Sequence, residues 1–111
     1  MFMNIKELEA RQLADMLAAN TDVQVVDIRQ PAEVHSGTVP GAEMIPMHTI
    51  PLRIEDIKQD KPVVLVCRSG ARSAQACSFL AQNGFENIFN LRGGMMGWAQ
   101  SGLEIGLPQA V

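Results

Sequence analysis

The four residues Val63-Val64-Leu65-Val66 are apolar with no polar alternate. They follow Pro62 and run directly into Cys67-Arg68-Ser69-Gly70-Ala71-Arg72-Ser73. A strand with no polar position has no face to give to water, so it belongs in the middle of a parallel sheet covered by helices on both sides. The stretch from Arg72 to Asn83 then sets Ala76, Cys77 and Leu80 on one helical face, and Gly84 offers a left-handed stop. These residues predict a strand, a tight turn carrying a thiol, and a helix. An α/β architecture follows.

The rest of the chain repeats that alternation. Ile5 to Leu8 predicts a small first strand, Ala10 to Asn20 a helix with Leu13, Met16 and Leu17 on one face, and Gln24 to Ile28 a buried strand. Gln30 to Val34 permits a short helix with Pro31 in its first turn. Val39-Pro40-Gly41-Ala42 reads as a turn and Glu43 to Ile45 as another short strand. Ile50 to Ile57 carries Leu52, Ile54 and Ile57 in no period that decides its form. Asn87 to Leu91 returns as a strand, Gly93-Gly94 turns the chain, and Met95 to Gln100 forms a last helix whose Trp98 packs against the domain body. No linker or repeat interrupts this plan, so residues 1–111 are expected to form one domain.

Several function classes recede on composition. With 47% hydrophobic and 19% charged residues the chain has the make-up of a soluble globular protein, and no apolar stretch approaches the ~18 residues of a membrane span. A net charge of −3 gives no basic footprint for nucleic acid. The amino-terminal residues Met1 to Glu7 show neither a basic leader nor a continuous apolar segment. The two cysteines lack framework spacing, so a reducing, cytoplasmic setting is expected. Cys67, Cys77, His35 and His48 have no paired ligand spacing, so no metal site is expected, and no cofactor is required. Both histidines fall in loop-like segments and read as surface or turn residues.

The chemistry points to the turn. Where a strand enters a helix through a tight loop, consecutive backbone N–H groups and the positive end of the helix dipole converge on the loop's centre. Here that centre is the Cys67 sulfur. Ringed by the amides of Arg68 to Ser73 and flanked by the Arg68 and Arg72 guanidinium groups, the thiol should be acidified, and the thiolate is the reactive form. Gly70 would permit a backbone angle or close approach that a side chain forbids. A lone cysteine after a buried strand is ordinarily core material. The loop overturns that for Cys67, whereas Cys77, on the Ala76 and Leu80 face, reads as packing.

Four groups of residues, in this order, resemble the rhodanese family of sulfurtransferases in its single-domain form. They are Val26-Asp27-Ile28-Arg29 with Pro31-Ala32-Glu33; Val39-Pro40-Gly41-Ala42 with Ile45-Pro46; the Cys67 to Ser73 loop; and Asn90-Leu91-Arg92-Gly93-Gly94 leading to Trp98. The resemblance covers nearly the whole chain. It implies a rhodanese-like α/β fold: a five-stranded, mostly parallel sheet with helices on both faces and the active loop at the carboxyl ends of the strands. One departure stands out. Where many relatives carry Gly-His-Ile before Pro-Gly-Ala, this chain has Gly37-Thr38-Val39, and Thr38 is expected to alter local hydrogen bonding more than chemistry.

The activity implied is ping-pong transfer of a sulfane sulfur. Cys67 would take sulfur from a small anionic donor such as thiosulfate, hold it as a persulfide among the amides, and pass it to cyanide, a small thiol or a protein thiol. In that scheme Arg68 meets the anion and Arg72 either grips it or braces the loop against a carboxylate, with Asp27 as the candidate brace. Two other readings compete. Phosphatases and arsenate reductases of related architecture carry Cys-x5-Arg, a wider cradle than the Cys-x4-Arg found here. A sulfur carrier or a docking module is the other. A degenerate docking module usually loses the cysteine that is intact here, and carrier and enzyme differ only in the turnover of small donors.

Overall fold

Apolar spacing and turn residues divide the chain, in a computed structural model that describes residues 5–109, into ten elements. They are β1 (Lys6–Leu8), α1 (Ala10–Ala18), β2 (Gln24–Asp27), α2 (Pro31–His35), β3 (Glu43–Met44), a 3₁₀ segment (Met47–Asp56), β4 (Val63–Val66), α3 (Ala71–Gln82), β5 (Ile88–Leu91) and α4 (Gly94–Gln100). The leader reading of Met1 to Glu7 falls in part on Met1 to Asn4, outside the described residues. The chain leaves α1 through Asn20, which adopts φ +56°, and Pro31 opens α2 at a position where its missing N–H is no loss. Helix α1 therefore ends two residues short of Asn20, whose left-handed backbone closes it.

All five strands run parallel in the order β1-β5-β4-β2-β3. The apolar run of β4 sits at the centre, as its lack of a polar face requires, and its four residues are wholly buried. Side chains alternate across a strand, so Val63, Leu65 and Cys67 join Ala76, Cys77 and Leu80 of α3 with Ile50 and Ile57 on one face. Val64 and Val66 join Ala10 and Leu13 of α1 with Met95 and Trp98 of α4 on the other. Each such Val or Leu contributes about 1.5–3 kcal/mol by leaving water. The same alternation sends the Cys67 side chain to the α3 side of the sheet.

The undecided stretch near Ile50 is part of the 3₁₀ segment, which contains Pro51 and bends where Arg53 leaves helical geometry at φ −116°. Proline lacks the N–H that an uninterrupted α-helix would use there, which is why no clean helical period was legible. Trp98 is buried as expected, and its indole Nε1 donates to the Glu104 carbonyl at 2.7 Å. No helix among the described residues is long and apolar enough to cross a membrane.

Candidate active site

Register brings the carboxyl ends of three strands together: Asp27 of β2 stands opposite Val66 of β4, and Leu65 of β4 opposite Asn90 of β5. The chain leaving β4 at this edge curls directly into α3. Gly70 takes φ +100° at the turn, as the sequence led us to expect of it, and a side chain there would press on the Gly93 amide at 3.3 Å. That curl points the loop amides inward. The Gly70 N–H donates to Cys67 Sγ at 3.0 Å, the Ser73 N–H at 3.4 Å and the Ser73 hydroxyl lies 3.2 Å away. Cys67 itself is only 1% exposed.

The outer side of the loop is fixed by α4. Met95 and Met96 donate their N–H groups to the carbonyls of Cys67 and Arg68 at 2.8 and 2.9 Å. With those carbonyls held outward, the neighbouring amides are free to face the sulfur. Such close approach is possible only because Gly94 has no side chain: an added Cβ would lie 2.4 Å from the Cys67 carbonyl oxygen.

Burial pushes the Cys67 thiol up, but donors from the Ser73 hydroxyl and from the Ser73, Gly70 and Ser69 amides outweigh it and hold the thiol below its ordinary 9.0. Cys77 shows the opposite balance. Burial, with the nearby Glu7 and Cys67 charges adding to it, pushes Cys77 up to about 12. A pH titration of thiolate absorbance should therefore show Cys67 ionising below 9.0 and Cys77 only near about 12. A single step at the ordinary thiol value, unchanged in Cys67→Ser, would contradict this assignment. Cys77 lines a cavity of about 360 Å³ with Ile5, Phe85 and Ile88, but that cavity includes none of the loop residues.

Arg68 and Ser69 are exposed at the loop's crown, as is Ala71, while Arg72 is half-buried. The expected carboxylate brace exists, with a different owner. Arg72 contacts Glu33 of α2 at 3.3 and 3.4 Å. The bond to Glu33 raises the Arg72 guanidinium, and the same bond holds the Glu33 carboxyl below its usual value. Asp27, the sequence-based candidate, is fully committed elsewhere. It receives the Arg29 guanidinium at 2.7 Å, the Arg29 N–H at 3.1 Å and the Thr38 hydroxyl at 2.7 Å, all in a buried setting. Arg29 lies two residues on and takes both carboxylate oxygens, which leaves Asp27 as a clamp for the β2–α2 connection. Of the other arginines, Arg53 pairs with Asp56 and Arg92 with Glu9.

Thr38 behaves as anticipated for a residue altering hydrogen bonding, being wholly buried against Asp27 and bridged through its backbone to Gly106. Thr38→Val should lower stability by about 1–2 kcal/mol, read from a urea midpoint, because a donor to a buried carboxylate is lost. Turnover should stay within twofold of native, and a tenfold fall in a folded variant would assign Thr38 a chemical role. His35 ends α2 and His48 lies in the 3₁₀ segment rather than in loops, but both are exposed. Among the described residues no cluster of three or more His, Cys, Asp or Glu could hold a metal ion. Reading the sequence missed Glu33, Gly94 and Asn90 as site residues. Each lay within a quoted family segment, but nothing in the local pattern said which way its side chain or missing side chain faced.

Comparison with known proteins decides the family. The model of the rhodanese-like domain matches residues 9–101. The chain belongs to the rhodanese-like family. It is 48% identical to a sulfurtransferase of Allochromatium vinosum over 95% of this chain and 98% of that protein. It is also 31% identical to the thiosulfate sulfurtransferase GlpE of Pseudoalteromonas translucida, covering 86% of this chain and 90% of the relative. Among solved structures, a rhodanese-like domain protein from Staphylococcus aureus superposes with a TM-score of 0.81 at 35% identity, over 90% of this chain and 97% of that one. The all-parallel five-stranded sheet is thus the rhodanese-like fold, and the two relatives matched along most of their length are sulfurtransferases.

Proposed function

We propose that this chain, acting as a single domain, is a sulfurtransferase that moves a sulfane sulfur through a Cys67 persulfide. The observation that carries the reading is the almost buried Cys67 sulfur ringed by the Gly70 amide at 3.0 Å, the Ser73 amide at 3.4 Å and the Ser73 hydroxyl at 3.2 Å. A slender, terminal sulfur atom can enter such a ring. A tetrahedral phosphate or arsenate centre needs the wider loop that one further residue would give.

Cys67 thiolate attacks the outer sulfur of thiosulfate, the S–S bond of the donor breaks, and its electron pair leaves on sulfite. The enzyme now holds one extra sulfur, whose negative charge faces amide dipoles already oriented toward it. A thiophilic acceptor, cyanide or a thiolate, then attacks that outer sulfur and the electron pair of the persulfide bond returns to Cys67. Arg68, exposed on the crown, attracts the anionic donor, and Arg72, steadied by Glu33, keeps the loop closed. The persulfide needs no metal, and two free thiols suit a reducing, cytoplasmic setting.

Steady-state formation of thiocyanate from thiosulfate and cyanide tests the reading, with parallel-line kinetics expected for two half-reactions. Slow turnover with rapid sulfur passage to a protein thiol would make the chain a relay carrier instead. Cys67-dependent release of phosphate from an aryl phosphate, without thiocyanate formation, would replace sulfur transfer by phosphatase chemistry.

A further inference from the structure

One donor beside Cys67 is shared by two acceptors. Asn90 of β5 is 2% exposed and stands opposite Leu65 in the sheet. Its Nδ2 donates to a Glu7 carboxyl oxygen at 3.0 Å and to the Gly70 carbonyl at 3.2 Å. Both partners accept, so the amide is fixed with Oδ1 turned toward the Ser73 hydroxyl, which donates to it. That hydroxyl, wholly buried, also lies 3.2 Å from Cys67 Sγ. It has a single proton. The proton can serve Asn90 or the sulfur at one time, not both.

We propose that Asn90 is a positioning residue that draws the Ser73 hydroxyl proton away from Cys67 while the sulfur is uncharged and yields it when the sulfur becomes a thiolate. The proposal rests on Cys67 being the sulfur-handling group and adds the residue that regulates its charge. In the neutral state the thiol donates to Ser73 Oγ and the hydroxyl donates to Asn90. When the thiol proton leaves to solvent, the hydroxyl turns about its Cβ–Oγ bond, because a hydrogen bond to an ion is about twice as strong as one to a neutral group. Asn90 Oδ1 is then left in a buried site without that donor, which penalises the thiolate. Attack on a sulfur donor removes the charge from Sγ, and the proton returns to Asn90. When an acceptor takes the outer sulfur, the electron pair falls back on Sγ and the proton follows it. Asn90 thus tempers the acidity that the amide ring creates, keeping Sγ nucleophilic as well as able to leave.

The titratable groups nearest this trio are Glu7 on β1, Arg72 on α3 with its partner Glu33 on α2, and the Cys77 thiol on α3, which stays neutral until about 12. They act on the sulfur whichever way the hydroxyl points. A double-substitution comparison therefore separates the relay from them.

The test is the pH midpoint of Cys67 thiolate absorbance, followed against Cys67→Ser as reference; the chain has no tyrosine whose phenolate would overlap. Asn90→Leu should lower the midpoint by about one pH unit, a tenfold rise in thiolate at fixed pH. In a Ser73→Ala background the same substitution should leave the midpoint in place. If Asn90 only tethered the Gly70 carbonyl, its loss would loosen the amides and raise the midpoint in both backgrounds. That result, or no shift in either, overturns the proposal. Asn90→Asp gives a second route should the leucine variant fail to fold by circular dichroism: its midpoint should rise further with Ser73 present than absent, and equal rises overturn the relay. A protein that shows the coupling yet never gains sulfur from thiosulfate would refute the transfer reading alone.

Discussion

Cys67→Ser is expected to lower thiocyanate formation from thiosulfate and cyanide by on the order of 10³-fold or more. A serine hydroxyl fits the same buried place but does not ionise near neutrality, and oxygen has little affinity for a sulfane sulfur. The amide ring would still surround it, so donor binding and folding should survive. Stability should change by less than about 1 kcal/mol, since the substitution is nearly isosteric and its hydroxyl inherits the donors around Sγ. Loss of turnover with an unchanged melting curve is the expected pair of results. Residual activity within tenfold of native would place the nucleophile elsewhere.

Gly94→Ala should be the most damaging small change outside the nucleophile. At φ +56° any L-residue is strained, and its methyl would lie 2.4 Å from the Cys67 carbonyl oxygen and 2.6 Å from Arg68 backbone atoms. Backbone cannot yield as the end of a side chain can, so the loop or the start of α4 must shift. Strain and overpacking together should destabilise the protein by about 3–5 kcal/mol. Movement of the loop should also cut turnover, because the inward amides depend on the Met95 and Met96 bonds to the Cys67 and Arg68 carbonyls. Gly102→Ala serves as the control, since a methyl there meets nothing within 4 Å. Equal stability losses at the two glycines, measured by urea unfolding, would show that the contact with the loop is immaterial.

The sheet was legible because burial leaves a mark on composition. Val63 to Val66 has no polar residue, and a strand like that has one place to go. The reactive loop was legible for a related reason: Gly70 and the two arginines make sense around a thiol only if the chain turns tightly there. Element ends were read to within one or two residues, with Gln24 to Ile28 ending at Asp27 and Arg72 to Asn83 shifted to Ala71–Gln82. Partners between elements were another matter. Asp27 closes β2 and Glu33 follows six residues later in α2, and charge alone does not say which carboxylate reaches Arg72. That choice is made by Arg29, which saturates Asp27, and by α2, which carries Glu33 to within 3.3 Å of the guanidinium. Gly94 and Asn90 were hidden for the same reason. Their roles come from contacts that β5 and α4 make with the loop after β4, which is distant from them in sequence and close only after the sheet has formed.

The central claim is that the ring of donors around Cys67 accepts and shelters one additional sulfur. The most direct measurement is the intact mass of the native protein after incubation with thiosulfate and removal of small molecules, beside Cys67→Ser treated identically. The account predicts a gain of one sulfur atom in the native chain, lost on addition of dithiothreitol or cyanide, and no gain in the variant. A native mass that stays unchanged, or an equal gain in both proteins, would contradict it.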